Sequence, residues 1–98
     1  MSYLEKCFEK DPNIVSRKIA DEVILVPIRQ NIGDLENIYV LNTVAAFIWE
    51  NIDGRKRIKD VNELIIEEFF ADKDVVERDV VKFIQDLEMI NCITLKGD

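Results

Sequence analysis

The side chains with reactive potential in this chain are carboxylates, lysines and two thiols, because its 98 residues include no histidine. The commonest metal ligand, and the group that exchanges protons most easily near neutral pH, is therefore missing. Acids adjoin at Glu67-Glu68 and Asp21-Glu22, but neighbouring carboxylates on a helix or turn are ordinarily a solvated face rather than an acid and base pair. Cys7 and Cys92 lie far apart and have no metal-ligand spacing. In a chain whose first ten residues carry no apolar signal segment, they are expected as thiols. The glycines at 33, 54 and 97 stand singly, so they cannot form a phosphate-cradling loop. These residue types point away from an enzyme, a metal site or a cofactor, and toward a binding protein.

The charge balance narrows the partner. Twenty Asp and Glu against thirteen Lys and Arg give a net charge of -7, a field that repels phosphate backbones and anionic lipid surfaces. Neither nucleic acid nor membrane is expected as a partner, and the cytoplasm is the expected compartment. With 48% hydrophobic residues the chain has material for one core, because two cores of this size would each bury too little surface.

The residues that organise the rest run from Ile38 to Gly54. Ile38 to Leu41 is a short β-prone run, and after Asn42 the apolar residues become nearly continuous through Ala45, Ala46, Phe47, Ile48 and Trp49. This change of period predicts a strand passing directly into a buried helix, with Asn42 as its cap, Trp49 as a core anchor and Asp53-Gly54 as the turn that stops it. Before this stretch, residues 14–20 and 23–28 read as two strands joined by a turn at Asp21-Glu22, with Pro27 confined to a strand end because it lacks the ladder donor. A loop over residues 29–35 and a third strand from Glu36 to Leu41 follow. Ile38 and Val40 alternate with Tyr39 and Leu41, so both faces of that strand carry apolar side chains and both are expected to be covered.

After the first helix, Val61, Leu64, Ile65 and Phe69 recur at helical spacing and predict a second helix over residues 58–71. Asp74 with Glu77 reads as the capping pair of a third helix, whose stripe is Val76, Val80, Phe83, Ile84, Leu87 and Ile90. Asn91 suits a left-handed stop, and residues 92–96 add a short strand or simply trail off. At the other end, Leu4, Cys7 and Phe8 have the spacing of one amphipathic helical turn. The expected architecture is α+β: an N-terminal extension over residues 1–13, then a single domain over residues 14–96. In that domain a three-stranded antiparallel sheet precedes three helices with winged helix-turn-helix proportions. A winged-helix regulator that binds DNA or a protein is the alternative function, although acids outnumber bases along the third helix.

Leu41-Asn42, Ala45-Ala46, Ile48-Trp49, Ile52 and Asp53-Gly54, followed by Asp79-Val80, Phe83-Ile84, Leu87 and Ile93, together resemble the PqqD family over residues 14–95. The family commonly has Gly where this chain has Ala45, Thr where it has Arg57, and Gly where it has Asn91. Ala packs nearly as closely as Gly and Asn tolerates the left-handed stop, whereas Arg57 weakens the start of the second helix.

The resemblance implies a small peptide chaperone. It would bind the leader region of a ribosomally made precursor peptide and present it to a modifying enzyme, often a radical SAM enzyme. The implied mode adds the peptide as a strand along Glu36, Ile38, Tyr39, Val40 and Leu41, with side chains entering a groove against the third helix. Val76, Val80, Val81, Ile84 and Gln85 are the candidate groove residues, Val80 and Ile84 on the central stripe and Val81 and Gln85 beside it. The open strand edge also allows a monomer to form a weak or swapped homodimer when no peptide is present.

Overall fold

The structure is a computed structural model that describes residues 2–28 and 38–96. A hairpin forms its sheet: β2 (Ile14–Ile19) pairs antiparallel with β3 (Glu22–Pro27) in the register Ile14↔Pro27 to Ile19↔Glu22. Alternating β-branched residues favour both strands, and the turn between them places Ala20 at φ 56. β4 (Tyr39–Leu41) then pairs antiparallel with β3 through Leu25↔Tyr39 and Val23↔Leu41, giving the order β2-β3-β4. Glu36 and the loop read at residues 29–35 lie outside the described residues.

As the change of period requires, β4 runs straight into α1 (Thr43–Glu50). Asn42 Oδ1 accepts the N–H of Ala45 at 2.9 Å, and Ala46, Ile48 and Trp49 are buried. At the far end Asp53 Oδ1 accepts from the N–H groups of Arg55 and Lys56, both at 2.9 Å, and its Oδ2 accepts from Lys56 Nζ at 2.7 Å. These donors hold the Asp53 carboxyl well below the usual carboxylate range, the Lys56 side chain contributing most. Gly54 follows at φ +77, a left-handed turn that a residue without Cβ adopts at no steric cost.

α2 (Ile58–Phe69) begins at Arg57, whose side chain has no acceptor to offer as a cap. Instead, Asp60 Oδ2 accepts the Arg57 N–H at 2.9 Å. It stops two residues before the expected end, with Phe70 left-handed at φ 52. Its packed face is Ile58, Val61, Ile65 and, unexpectedly, Asn62, which is 4% exposed with an Oδ1 that has no hydrogen-bond partner among the described residues.

α3 (Lys73–Met89) starts earlier than its pattern suggests. The cap is Asp72, not Asp74: Asp72 Oδ1 accepts from the N–H groups of Asp74 and Val75 at 2.9 and 3.3 Å. The earlier start places Lys73 one turn from Glu77, a 3.9 Å ion pair. Asn91 is left-handed at φ 62 after the helix.

Residues 2–13, read as an extension with a helical turn, take a different shape. A 3₁₀ turn at Tyr3–Glu5 precedes β1 (Phe8–Lys10), which pairs antiparallel with β5 (Ile93–Leu95) through Phe8↔Leu95. Phe8 is 3% exposed and joins the core with Leu25, Trp49, Ile84 and Ile93. The turn at Gly54 is tied to this ribbon by the Gly54 N–H to Phe8 C=O bond at 2.9 Å and by Lys96 Nζ donating to the Gly54 carbonyl at 2.8 Å.

Candidate functional site

Which backbone groups β4 offers can be derived from the ladder itself. The Ile28 N–H bonds the Asn13 carbonyl at 2.6 Å in the same register as β2 and β3. Hydrogen-bonded pairs in an antiparallel ladder alternate, so Glu22, Ile24 and Val26 turn their N–H and C=O toward β2, while Val23 and Leu25 turn theirs toward β4. On β4 the partners of Val23 and Leu25 are Leu41 and Tyr39, whose backbone groups are thus engaged with β3. Val40, and Ile38 before it, point theirs away from β3, and β4 is the edge of the sheet. A strand edge with unmatched donors and acceptors is where another extended chain can pair.

The side chains alternate in the same way. Tyr39 is half-buried and Leu41 buried on the face that packs on the core, whereas Ile38 and Val40 are 55% and 60% exposed. The second face expected to be covered is therefore left open by the described residues. The structural reason is that all three helices belong to the core side, where α1 packs on β3 and β4.

On α3 the candidates separate by direction. Val76, Val80 and Ile84 are buried among core residues, with Val80 and Ile84 meeting Phe8, Ile52, Ile58 and Val61 around a small, partly open gap in the packing. Val81 and Gln85, one step round the helix, reach an open concavity with Leu4, Asp74, Glu77, Arg78 and Lys82. Val81 is half-buried and Gln85 exposed. No β4 side chain among the described residues lines this concavity, so the structure shows two separate features, an open strand edge and a helix flank, rather than one continuous lined groove.

The spacing of Leu4 with Cys7 and Phe8 suggests only a local amphipathic turn and carries no signal that Leu4 reaches α3 from the far end of the chain, but the flank it completes was readable as i, i+4, i+7, i+11 in Asp74, Arg78, Val81 and Gln85. Its turn is fixed in place by Tyr3 Oη donating to Glu88 Oε1 at 2.8 Å and by Arg57 and Lys59 meeting Glu5 at 2.9 and 3.1 Å. Burial and the Glu88 carboxylate both disfavour the Tyr3 phenolate and push its hydroxyl above the ordinary range. It donates to Glu88 at any physiological pH.

Comparison with known proteins places the chain by family and by fold. The family model described as "Coenzyme PQQ synthesis protein D (PqqD)" matches residues 22–93. The fold is similar to that of the structure titled "TbiB1 in Complex with the TbiA(beta) Leader Peptide", with a TM-score of 0.77 at 26% identity over 92% of this chain and 99% of that one. It is also similar to "Lasso peptide synthetase B1 complexed with the leader peptide", with a TM-score of 0.74 at 20% identity over 89% of this chain and 96% of that one. No curated protein matches the chain.

Proposed function

Because the chain belongs to the PqqD family, and is similar in fold to a protein held in complex with a leader peptide, we propose that it is a non-catalytic adaptor that binds the leader region of a ribosomally made precursor peptide. Family and fold support a peptide partner in the biosynthesis of a modified peptide. The finer reading is strand addition: the leader pairs with the outward N–H and C=O of Val40 and the outward groups of Ile38, and extends the sheet beyond β4. The observation that carries it is the alternation of the ladder, which leaves these groups on an edge without a strand among the described residues.

The peptide's inward side chains pass Tyr39, and a segment that continues toward α3 meets the flank of Val81 and Gln85, with Leu4 as its far wall. Val76, Val80, Ile84 and Leu41 act behind this surface, as the packing that fixes it. The enzyme that receives the peptide is a radical SAM enzyme or another peptide-modifying enzyme, and the adaptor works in the cytoplasm. No helix among the described residues is long and apolar enough to cross a membrane.

Titration of isotopically labelled protein with the leader peptide encoded beside its gene tests this reading. Backbone amide shifts are expected at residues 38–41 and on α3 around Val81 and Gln85. Shifts confined to other elements would exclude strand addition at β4, and no shifts at all would exclude that leader as a ligand.

A further inference from the structure

The outer face of the β2-β3-β4 sheet is unusual for an antiparallel sheet, whose solvent side normally alternates to polar residues. Cross-strand register puts Ile24 beside Val40 and Val15 beside Val26 on it, with Ile19 at the hairpin end opposite Glu22. Among the described residues ten large hydrophobics are exposed; three of them, Val15, Ile19 and Val40, lie on this one face, and two more, Ile28 and Ile38, directly adjoin the ends of β3 and β4. Scattered exposed hydrophobics need no explanation, but a contiguous patch marks an interaction surface.

Two charged side chains sit within the patch. Arg17 is opposite Ile24 and Glu22 opposite Ile19, so the two are diagonal neighbours on the same face. Neither forms an ion pair among the described residues, whereas Lys18, which points to the other side of β2, reaches Glu50 at 3.7 Å. A membrane is a poor occupant, because the chain's net charge of -7 opposes an anionic surface and the patch has no basic rim. A surface that carries an apolar field with one cation and one anion diagonal to each other is complementary to itself.

We propose that this face stacks on the same face of a second copy of the chain. A twofold axis between the two sheets sets Arg17 of each copy against Glu22 of the other, with Ile19, Ile24 and Val26 packed between the pairs. Two sheets packed face to face about 10 Å apart are a standard architecture, and a twofold interface uses one patch twice. The like net charges of the two copies oppose the contact, so association is weak, with a dissociation constant of roughly 10–100 µM. The contact leaves the outward backbone groups of β4 free and does not depend on the peptide-binding reading.

Sedimentation equilibrium of the full chain between about 5 µM and 1 mM tests this. A monomer–dimer equilibrium is expected, weakened at least tenfold by Ile19→Lys, a substitution at an exposed position that leaves the circular dichroism and the leader-peptide affinity unchanged. Arg17→Glu alone and Glu22→Arg alone should each be monomeric, since each leaves like charges opposed. Mixing these two variants should restore association, because both cross pairs are then complementary. A wild-type chain that is monomeric at every concentration would overturn the proposal, as would a dimer indifferent to Arg17 and Glu22 reversal, which points to strand-edge pairing. Binding of the patch to phosphatidylcholine vesicles in place of self-association would overturn it as well.

Discussion

The two faces of the β2-β3-β4 sheet are built from nearly the same residues and meet opposite fates. Val23, Leu25 and Leu41 on one side are 3%, 0% and 6% exposed, while Val40 and Ile19 on the other are 60% and 57% exposed. Side-chain hydrophobicity does not distinguish them. The difference is topological: every connection after β4 carries its helix to the same side, so one face receives α1 and the core while the other receives nothing from the described chain. Burial is thus a property of the chain's route, and apolar residues on the uncovered side are available for a role other than stability.

Substitutions on neighbouring residues of β3 probe this contrast most strongly. Leu25→Ala removes a fully buried side chain and is expected to lower the unfolding free energy by about 2–5 kcal/mol. Ile24→Ala, one residue away on the other face, should lower it by about 1 kcal/mol or less. Urea denaturation of both variants measures the pair, and equal losses would mean that the outer face is covered after all.

Proline substitution makes the same comparison along the backbone of β4. Tyr39→Pro removes an N–H engaged with Leu25 and should unfold the edge of the sheet, at a cost of about 3 kcal/mol. Val40→Pro removes an outward N–H, so it should keep the fold and weaken leader-peptide binding about tenfold or more, a loss of about 1.4 kcal/mol or greater. Calorimetric titration beside a thermal melt separates the two, and unchanged affinity in a folded Val40→Pro protein would remove β4 from the site.

On the helix flank the effects are smaller. Leu4→Ala and Val81→Lys each alter an open concavity at the margin of the core, and each should weaken the leader by roughly three- to tenfold, about 1 kcal/mol, with a smaller loss of melting temperature than Leu25→Ala. If only Val81→Lys acts, the N-terminal turn is scaffold and not wall.

The smallest expected effect lies in the turn that closes the covered side. The folded state depresses the Asp53 carboxyl, so its stabilising contribution is present above the unfolded value of about 3.9 and is lost as pH falls through the lower folded value. Asp53→Asn should lower the melting temperature by a few degrees at pH 7, and the gap between variant and wild type should close in acid.

Much of the fold was legible because its signals are local. Asn42 announces α1, Asn91 ends α3, and Pro27 ends β3 where the ladder toward β4 no longer finds a donor, each for a reason carried by a single residue. Asp72 and Asp74 show the limit of such signals: both acids can cap, and the choice falls to where the chain emerges from the left-handed Phe70. What could not be read was long-range. Nothing near Phe8 specifies that it pairs across from Leu95, or that Leu4 completes the flank of α3. The site divided along the same line: the period of two on β4 gave the right alternation, but the helical stripe that drew attention to Val76, Val80 and Ile84 is the core-facing one. A hydrophobic stripe identifies what a helix buries, and a binding flank must be sought beside it.

The pairing of β1 with β5 has a consequence for how this unit can be connected to others. Phe8 and Leu95 are cross-strand neighbours, so chain entering before β1 and chain leaving after β5 are side by side on one ribbon. A module whose entry and exit adjoin can be spliced into a single surface loop of a host protein, or be opened elsewhere and rejoined there by a short linker, without redirecting the host backbone. The geometry suits the unit equally to standing alone and to being carried within a larger chain.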